Sequence, residues 1–122
     1  MNFLKIGSCL FFLCSLVACN KDRTLATKDF TTVFEKTAGL ETATYPEIID
    51  FYKQLAADHS TIAIYEMEDT DSGKPLHLVT FNPNRSFESE FAIAQKQNVL
   101  LINNGTHPGE SDGIDASMML LR

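Results

Sequence analysis

Cysteine is missing from most of this sequence. All three cysteines (Cys9, Cys14 and Cys19) lie near the amino terminus, so a disulfide framework is excluded for residues 20–122. Basic residues are also scarce, because 10 Lys and Arg stand against 16 Asp and Glu, giving a formal net charge of −6 and a pI near 4.9. This balance argues against binding nucleic acid or anionic lipid through a basic patch. The sequence has no low-complexity tract and no internal repeat.

No apolar run is long enough to cross a bilayer as a helix, which takes about 20 residues. The uncharged stretch 6–18, which follows Lys5, instead suits the apolar part of a secretory signal. It leads into LVAC (16–19), which resembles a bacterial lipobox, a pattern that is cut before the cysteine so that the cysteine can carry lipid. The alternative is an ordinary secretory signal that happens to end in a cysteine.

The lipobox predicts the location of the protein. Residues 1–18 would form a lipoprotein signal peptide, and lipidated Cys19 would anchor the chain in the cell envelope. Aspartate after the cysteine resembles an inner-membrane retention signal, so Asn20 favours the outer membrane. Residues 19–43 are rich in Thr and charge, which predicts a tether and a loosely packed lead-in. Residues 44–122 are then expected to belong to one domain.

A helix is predicted after this lead-in. Thr44 and Glu47 match a capping box, and Pro46 falls in the first turn, where a missing N–H is harmless. One apolar stripe follows at helical spacing, formed by Tyr45, Ile48, Ile49, Tyr52, Leu55 and Ala56. His59 comes near the end of this helix, where a partly positive ring suits the helix dipole, so it is not expected to bind metal.

Three strands are predicted next. TIAIYEME (61–68) and PLHLVTFN (75–82) flank the turn cluster DTDSGKP and should form a hairpin. The second of these strands is apolar at nearly every position, which predicts that both of its faces are covered. His77 within it is interpreted as a core or edge histidine. NVLLIN (98–103) is the third predicted strand, also apolar on both faces.

The chemistry is expected to lie in the turn after the third strand. His107 and Glu110 flank a Pro-Gly pair, which favours a sharp turn and can bring both side chains to one side. Ser111 or Asp112 can cap a helix through GIDASMMLLR, with Ile114, Met118 and Leu121 on one side. A strand, turn and helix in this order predict an α/β fold, in which sites lie beyond the carboxyl ends of strands. Nitrogen and oxygen donors suit zinc. An exposed turn that merely contains His and Glu is the alternative.

At this turn the sequence resembles a known family. LINNGTHPGESDGIDASMMLLR looks like the first zinc-binding motif of the zinc carboxypeptidases, in which His-x-x-Glu follows a central strand. The helix TYPEIIDFYKQLAADH and the segment DSGKPLHLVTF are similar to upstream parts of the same family. The resemblance covers residues 40–122 and implies an α/β fold, a mixed sheet with flanking helices, of which residues 44–122 form the N-terminal portion.

The resemblance also implies a mechanism. A zinc ion held by two His and one Glu would polarise the scissile carbonyl and lower the pKa of its water, with no further cofactor. Of these ligands only His107 and Glu110 are present here. The third ligand, the general-base Glu and the Arg residues for the substrate carboxylate would follow residue 122, so this chain would be a truncated part of the domain. Asp112 and Asp115 are interpreted as helix-start residues rather than ligands.

The function expected from this resemblance is zinc-dependent hydrolysis of C-terminal peptide bonds in a peptide or cell-wall peptide. The 122-residue chain alone is expected to lack turnover and to bind zinc no better than micromolar. One alternative is a zinc-dependent N-acyl amino-acid deacylase or cell-wall amidopeptidase. Another is a non-catalytic, lipid-anchored binding protein, and a third is a homo-oligomer whose copies supply the missing ligands to one another.

Overall fold

The computed structural model describes residues 28–122, so the predicted signal peptide (1–18) and Cys19 lie outside the described residues. Two helices precede a single β-hairpin in this part of the chain, and two helices follow it. The elements are α1 (Val33–Lys36), α2 (Tyr45–Asp58), β1 (Ile62–Asp69), β2 (Pro75–Phe81), α3 (Ser89–Ala94) and α4 (Asp112–Leu121). This mixture of helices and a two-stranded sheet is compatible with the α/β class in its general sense. No helix within residues 28–122 has the length and apolar character needed to cross a membrane.

The predicted helix is confirmed as α2. The backbone N–H and the hydroxyl of Thr44 both donate to the carboxylate of Glu47, at 2.8 and 2.6 Å, so the helix start is closed by its own first turn. Pro46 lies in that turn, as predicted, and His59 follows the last helical residue as the C-cap. The buried side of the helix presents Tyr52 and Leu55, both members of the predicted apolar stripe.

The hairpin is also confirmed. β1 and β2 pair antiparallel, with Ile62 opposite Phe81 and Ile64 opposite Val79. Because side chains alternate between the two faces of a strand, these pairs lie on one face. Ile62 is buried, and Ile64 and Val79 pack against the same core as α2.

The prediction that β2 is covered on both faces is wrong for the described residues. Leu76 and Leu78 project to the opposite face, where they are 58% and 41% exposed. The hairpin has two strands and packs on α2 through one face only. Apolar side chains on the other face are therefore only partly covered by residues 28–122.

The third predicted strand is not formed either. Residues 98–103 are irregular and fully on the surface, and the sheet contains β1 and β2 alone. A strand exists only when a neighbour accepts its backbone hydrogen bonds, and neither edge of the hairpin takes this segment. The predicted strand–turn–helix unit around His107 therefore lacks its strand within residues 28–122.

The core joins α2, β1 and α4. Its fully buried members are Leu55 and Met118, with Ala43, Tyr52 and Ile62 close by. Burial raises the pKa of Tyr52 to about 12, since a phenolate would lose its hydration there. Only five apolar residues are buried in this cluster, so the core of the described part is small.

Residues 28–43, predicted as a loose lead-in, contribute to this interior. Thr32 is buried at the start of α1, and its backbone N–H donates to Glu35 at 2.9 Å. Arg122 reaches back to the same carboxylate with two hydrogen bonds of 2.5 Å and donates to the carbonyl of Phe30. The guanidinium, together with the N–H of Thr32, lowers the pKa of Glu35 to about 2.

Candidate metal centre

His107 and Glu110 meet in the structure. The Nδ1 atom of His107 lies 3.2 Å from each carboxylate oxygen of Glu110. Both side chains are largely exposed, 73% for the imidazole and 62% for the carboxylate. The Pro-Gly turn thus brings a nitrogen donor and two oxygen donors to one side of the chain, where an ion from solvent can reach them.

The turn is short and closed by its own backbone. The N–H of Glu110 donates to the carbonyl of His107 at 3.3 Å, and Gly109 between them has a φ of +86°. A residue with a Cβ is strained at this φ, so glycine permits the reversal. Helix α4 begins two residues after Glu110, which holds the carboxylate near the amide end of a helix.

The segment before the turn packs closely against α4. A Cβ placed on Gly105 would lie 2.8 Å from Cδ1 of Ile114, and one on Gly113 would lie 2.6 Å from Oδ1 of Asn104. The side-chain amide of Asn104 also donates to the hydroxyl of Ser117 at 2.5 Å. The backbone leading to His107 therefore approaches α4 as closely as two glycines allow. This packing was not predicted from the sequence, although the Asn-Gly and Asp-Gly pairs were its signal.

Helix α4 is in turn fixed to the rest of the molecule. Asp115, in its first turn, is buried and accepts a hydrogen bond of 2.7 Å from the hydroxyl of Thr42. The second carboxylate oxygen of Asp115 is buried without a partner among the described residues. Met118, one turn further on, is fully buried in the core. The position of the turn thus depends on α4, and the position of α4 depends on the core and on Thr42.

The donor set of the turn fits zinc. Two ligand atoms at about 2.0–2.2 Å from one tetrahedral zinc lie roughly 3.3–3.5 Å apart. The observed separation of 3.2 Å between Nδ1 and the carboxylate oxygens is close to that value. It also suits a hydrogen bond from a protonated Nδ1 to the carboxylate, so metal titration is what separates the two interpretations.

The other candidate ligands lie elsewhere. Asp112 and Asp115 occupy the first turn of α4, as the helix-start interpretation has it. Among residues 28–122, no group of three or more His, Cys, Asp or Glu side chains is arranged to hold a metal ion. The pair His107 and Glu110 is therefore a two-ligand arrangement in the described part of the chain.

His77 has a distinct environment. Its side chain is 6% exposed, its Nδ1 lies 3.2 Å from the carbonyl of Pro75 and 3.3 Å from the hydroxyl of Tyr45, and Glu66 is the nearest acid, at 3.7 Å from Nε2. Tyr45 itself donates to Pro75 at 2.8 Å. These contacts join the start of α2 to β2, which agrees with the interpretation of His77 as a core or edge histidine.

Comparison of the chain with known protein families, with characterised proteins and with solved structures finds no match.

Proposed function

We propose that His107 and Glu110 are the first two zinc ligands of an exported zinc carboxypeptidase, anchored to the cell envelope through Cys19. The observation that carries the proposal is the 3.2 Å separation between Nδ1 and the carboxylate oxygens in an exposed turn. The similarity of residues 99–122 to the first zinc motif of that family supports the same assignment.

The roles of the chain's own residues follow from the packing. His107 and Glu110 would hold the metal, and the close approach of Gly105 to Ile114 keeps their backbone against α4. Zinc, when bound, polarises a carbonyl oxygen and lowers the pKa of a coordinated water. In the proposed enzyme the third ligand, a general-base Glu and an Arg for the substrate carboxylate come from chain beyond residue 122.

The exposed apolar surface supports the view that residues 44–122 are the N-terminal portion of a larger domain. Val99, Leu100 and Leu101 are each about four-fifths exposed, and the outer face of β2 carries exposed Leu76 and Leu78. Large contiguous apolar surfaces are uncommon on complete monomeric domains and mark places where other protein packs.

Zinc titration of the 122-residue chain, with Cys9, Cys14 and Cys19 replaced by serine so that thiolates do not compete for zinc, tests the metal assignment. Calorimetry should give a dissociation constant of micromolar or weaker, since two protein ligands hold zinc less firmly than three. H107A and E110A should each weaken binding at least tenfold. H59A is the matched control, because His59 is an exposed histidine at the end of α2, and its affinity should match the parent chain. Equal affinity in H107A and H59A would contradict the assignment.

Peptidase assays test the activity. The 122-residue chain should show no turnover, whereas a product of the same locus that extends past Arg122 should release C-terminal residues and lose this activity with a chelator. Hydrolysis by the longer product that persists in chelator, or after H107A and E110A together, would exclude a zinc carboxypeptidase.

A non-catalytic, lipid-anchored binding protein is the second candidate. The observation that favours it is that His107 and Glu110 already satisfy each other at hydrogen-bonding distance. In that case zinc would not compete with the internal hydrogen bond, and the titration above would show no heat that depends on His107.

A further inference from the structure

Residues 98–103, the NVLLIN segment, combine exposed apolar side chains with an unused backbone. Val99, Leu100 and Leu101 project into solvent, and Ile102 is half exposed. Within residues 28–122 no backbone hydrogen bond involves this segment, and no strand lies beside it. Such a stretch can pair with another strand, since neither its N–H nor its C=O groups have partners in the described part of the chain to give up.

The sequence of the segment is symmetric about its midpoint. Read backwards, NVLLIN becomes NILLVN, so each position meets a residue of its own kind when two copies run antiparallel. Asn98 of one copy would lie opposite Asn103 of the other, Val99 opposite Ile102, and Leu100 opposite Leu101. Cross-strand pairs of matched apolar and β-branched side chains stabilise antiparallel sheets, and a two-fold axis through the midpoint repeats every contact twice.

Charge also permits this pairing. The chain carries a formal net charge of −6, yet none of it lies in the segment. Like charges directly opposite each other destabilise a strand pair, and the lysines and prolines that normally protect exposed edges are absent here. Two copies can therefore approach along this segment in spite of their overall negative charge.

We propose that the NVLLIN segments of two copies of this chain pair antiparallel and form a homodimer. Two paired six-residue segments bury less surface than the roughly 1,200–2,000 Å² of a stable protein–protein interface, so the dimer is weak, with dissociation in the micromolar range or above. The inference does not rest on the proposed function and uses no metal. In a longer product, further strands of the same chain would compete for the segment.

Charge reversal across the two-fold axis tests the register. In the 122-residue chain, L100K/L101K places lysine opposite lysine and should weaken the dimer at least tenfold in sedimentation equilibrium. L100K/L101E places lysine opposite glutamate and should restore dimerisation to within threefold of the parent. A parallel, in-register pair would instead put each introduced charge opposite itself, and L100K/L101E would then fail to rescue.

L40K is the matched control, because Leu40 is an equally exposed leucine outside the segment, and its dimerisation should equal that of the parent chain. The apolar stretch 6–18 is identical in all variants, so differences among them report on residues 98–103. A parent chain that stays monomeric up to its solubility limit, assembly that continues beyond two copies, or a dimer unaffected by L100K/L101K would each overturn the proposal. A monomer whose zinc binding needs His107 would overturn this inference alone and leave the proposed function standing.

Discussion

The packed unit of α2, the hairpin and α4 contrasts with residues 98–110, where every residue is exposed. In the packed unit, apolar side chains of distant segments cover one another around Leu55 and Met118. In residues 98–110, equally apolar side chains have no cover within the described part of the chain. The candidate metal pair belongs to the exposed region but takes its position from the packed one through α4. Stability is thus carried mainly by the packed residues, whereas the candidate ligands are exposed and depend on the packed unit for their position.

The largest expected effect breaks the packed region. L55A should lower the free energy of unfolding by about 2–5 kcal/mol, because it removes the most completely buried side chain of a small core. The same truncation at an exposed position, L100A, should change it by less than about 0.5 kcal/mol at protein concentrations where the chain is monomeric. Urea denaturation of both variants at such a concentration measures the contrast, and equal losses would mean that Leu100 is buried in the monomer.

A smaller effect is expected where the two regions touch. G105A must hold a φ of +66° and place its Cβ 2.8 Å from Ile114, whereas G73A holds a φ of +70° with nothing within 4 Å. Both should lose about 1 kcal/mol from the left-handed backbone, and G105A should lose about another 1 kcal/mol or more from overpacking. Thermal unfolding compares the two. Zinc affinity should fall in G105A alone. An equal loss of zinc affinity in G73A would show that the contact of Gly105 with α4 does not position the metal-binding turn.

The smallest effect concerns the ion pair of Glu35 with Arg122. The pKa of Glu35 is lowered from 4.5 to about 2 in the folded chain, first by Arg122, so the carboxylate stabilises the fold above pH 4.5. That contribution is lost as the pH falls from about 4.5 to about 2. The urea midpoints of the parent chain and E35Q should therefore differ at neutral pH and converge near pH 2.

The substitution E68Q, at an exposed acid on β1, controls for the loss of one negative charge. High salt should reduce the difference between the parent chain and E35Q, since the pair is partly exposed. A difference that stays constant down to pH 2 would show that Glu35 acts through packing rather than through its charge.

The comparison also explains which features could be predicted from the sequence. The start of α2 depends on Thr44, Pro46 and Glu47, which are neighbours in sequence, so its capping box could be recognised from them. The hairpin was predictable for the same reason, because a turn cluster separates two runs of β-branched and aromatic residues. The meeting of His107 with Glu110 is local as well and follows from the Pro-Gly turn.

Features that depend on distant partners were mispredicted or missed. NVLLIN has the composition of a strand, but composition does not supply the neighbour that a strand needs. The burial of β2 was overestimated because an apolar sequence shows which side chains could be buried, whereas the tertiary structure determines which of them are buried. Two further features depend on tertiary packing, which patterns in a single sequence do not reveal. They are the burial of Asp115 against Thr42 and the contact of Gly105 with Ile114. The zinc assignment and the family remain predictions.

The hydrogen bond between Thr42 and Asp115 spans 73 positions of the chain, and the ion pair of Glu35 with Arg122 spans 87. Contacts of this separation form late in folding, because the entropy of closing such loops must be overcome before they contribute. Helix α4 should accordingly dock after the hairpin has formed. The local turn that joins the imidazole and carboxylate can form earlier, but only this docking step fixes its position relative to the rest of the molecule.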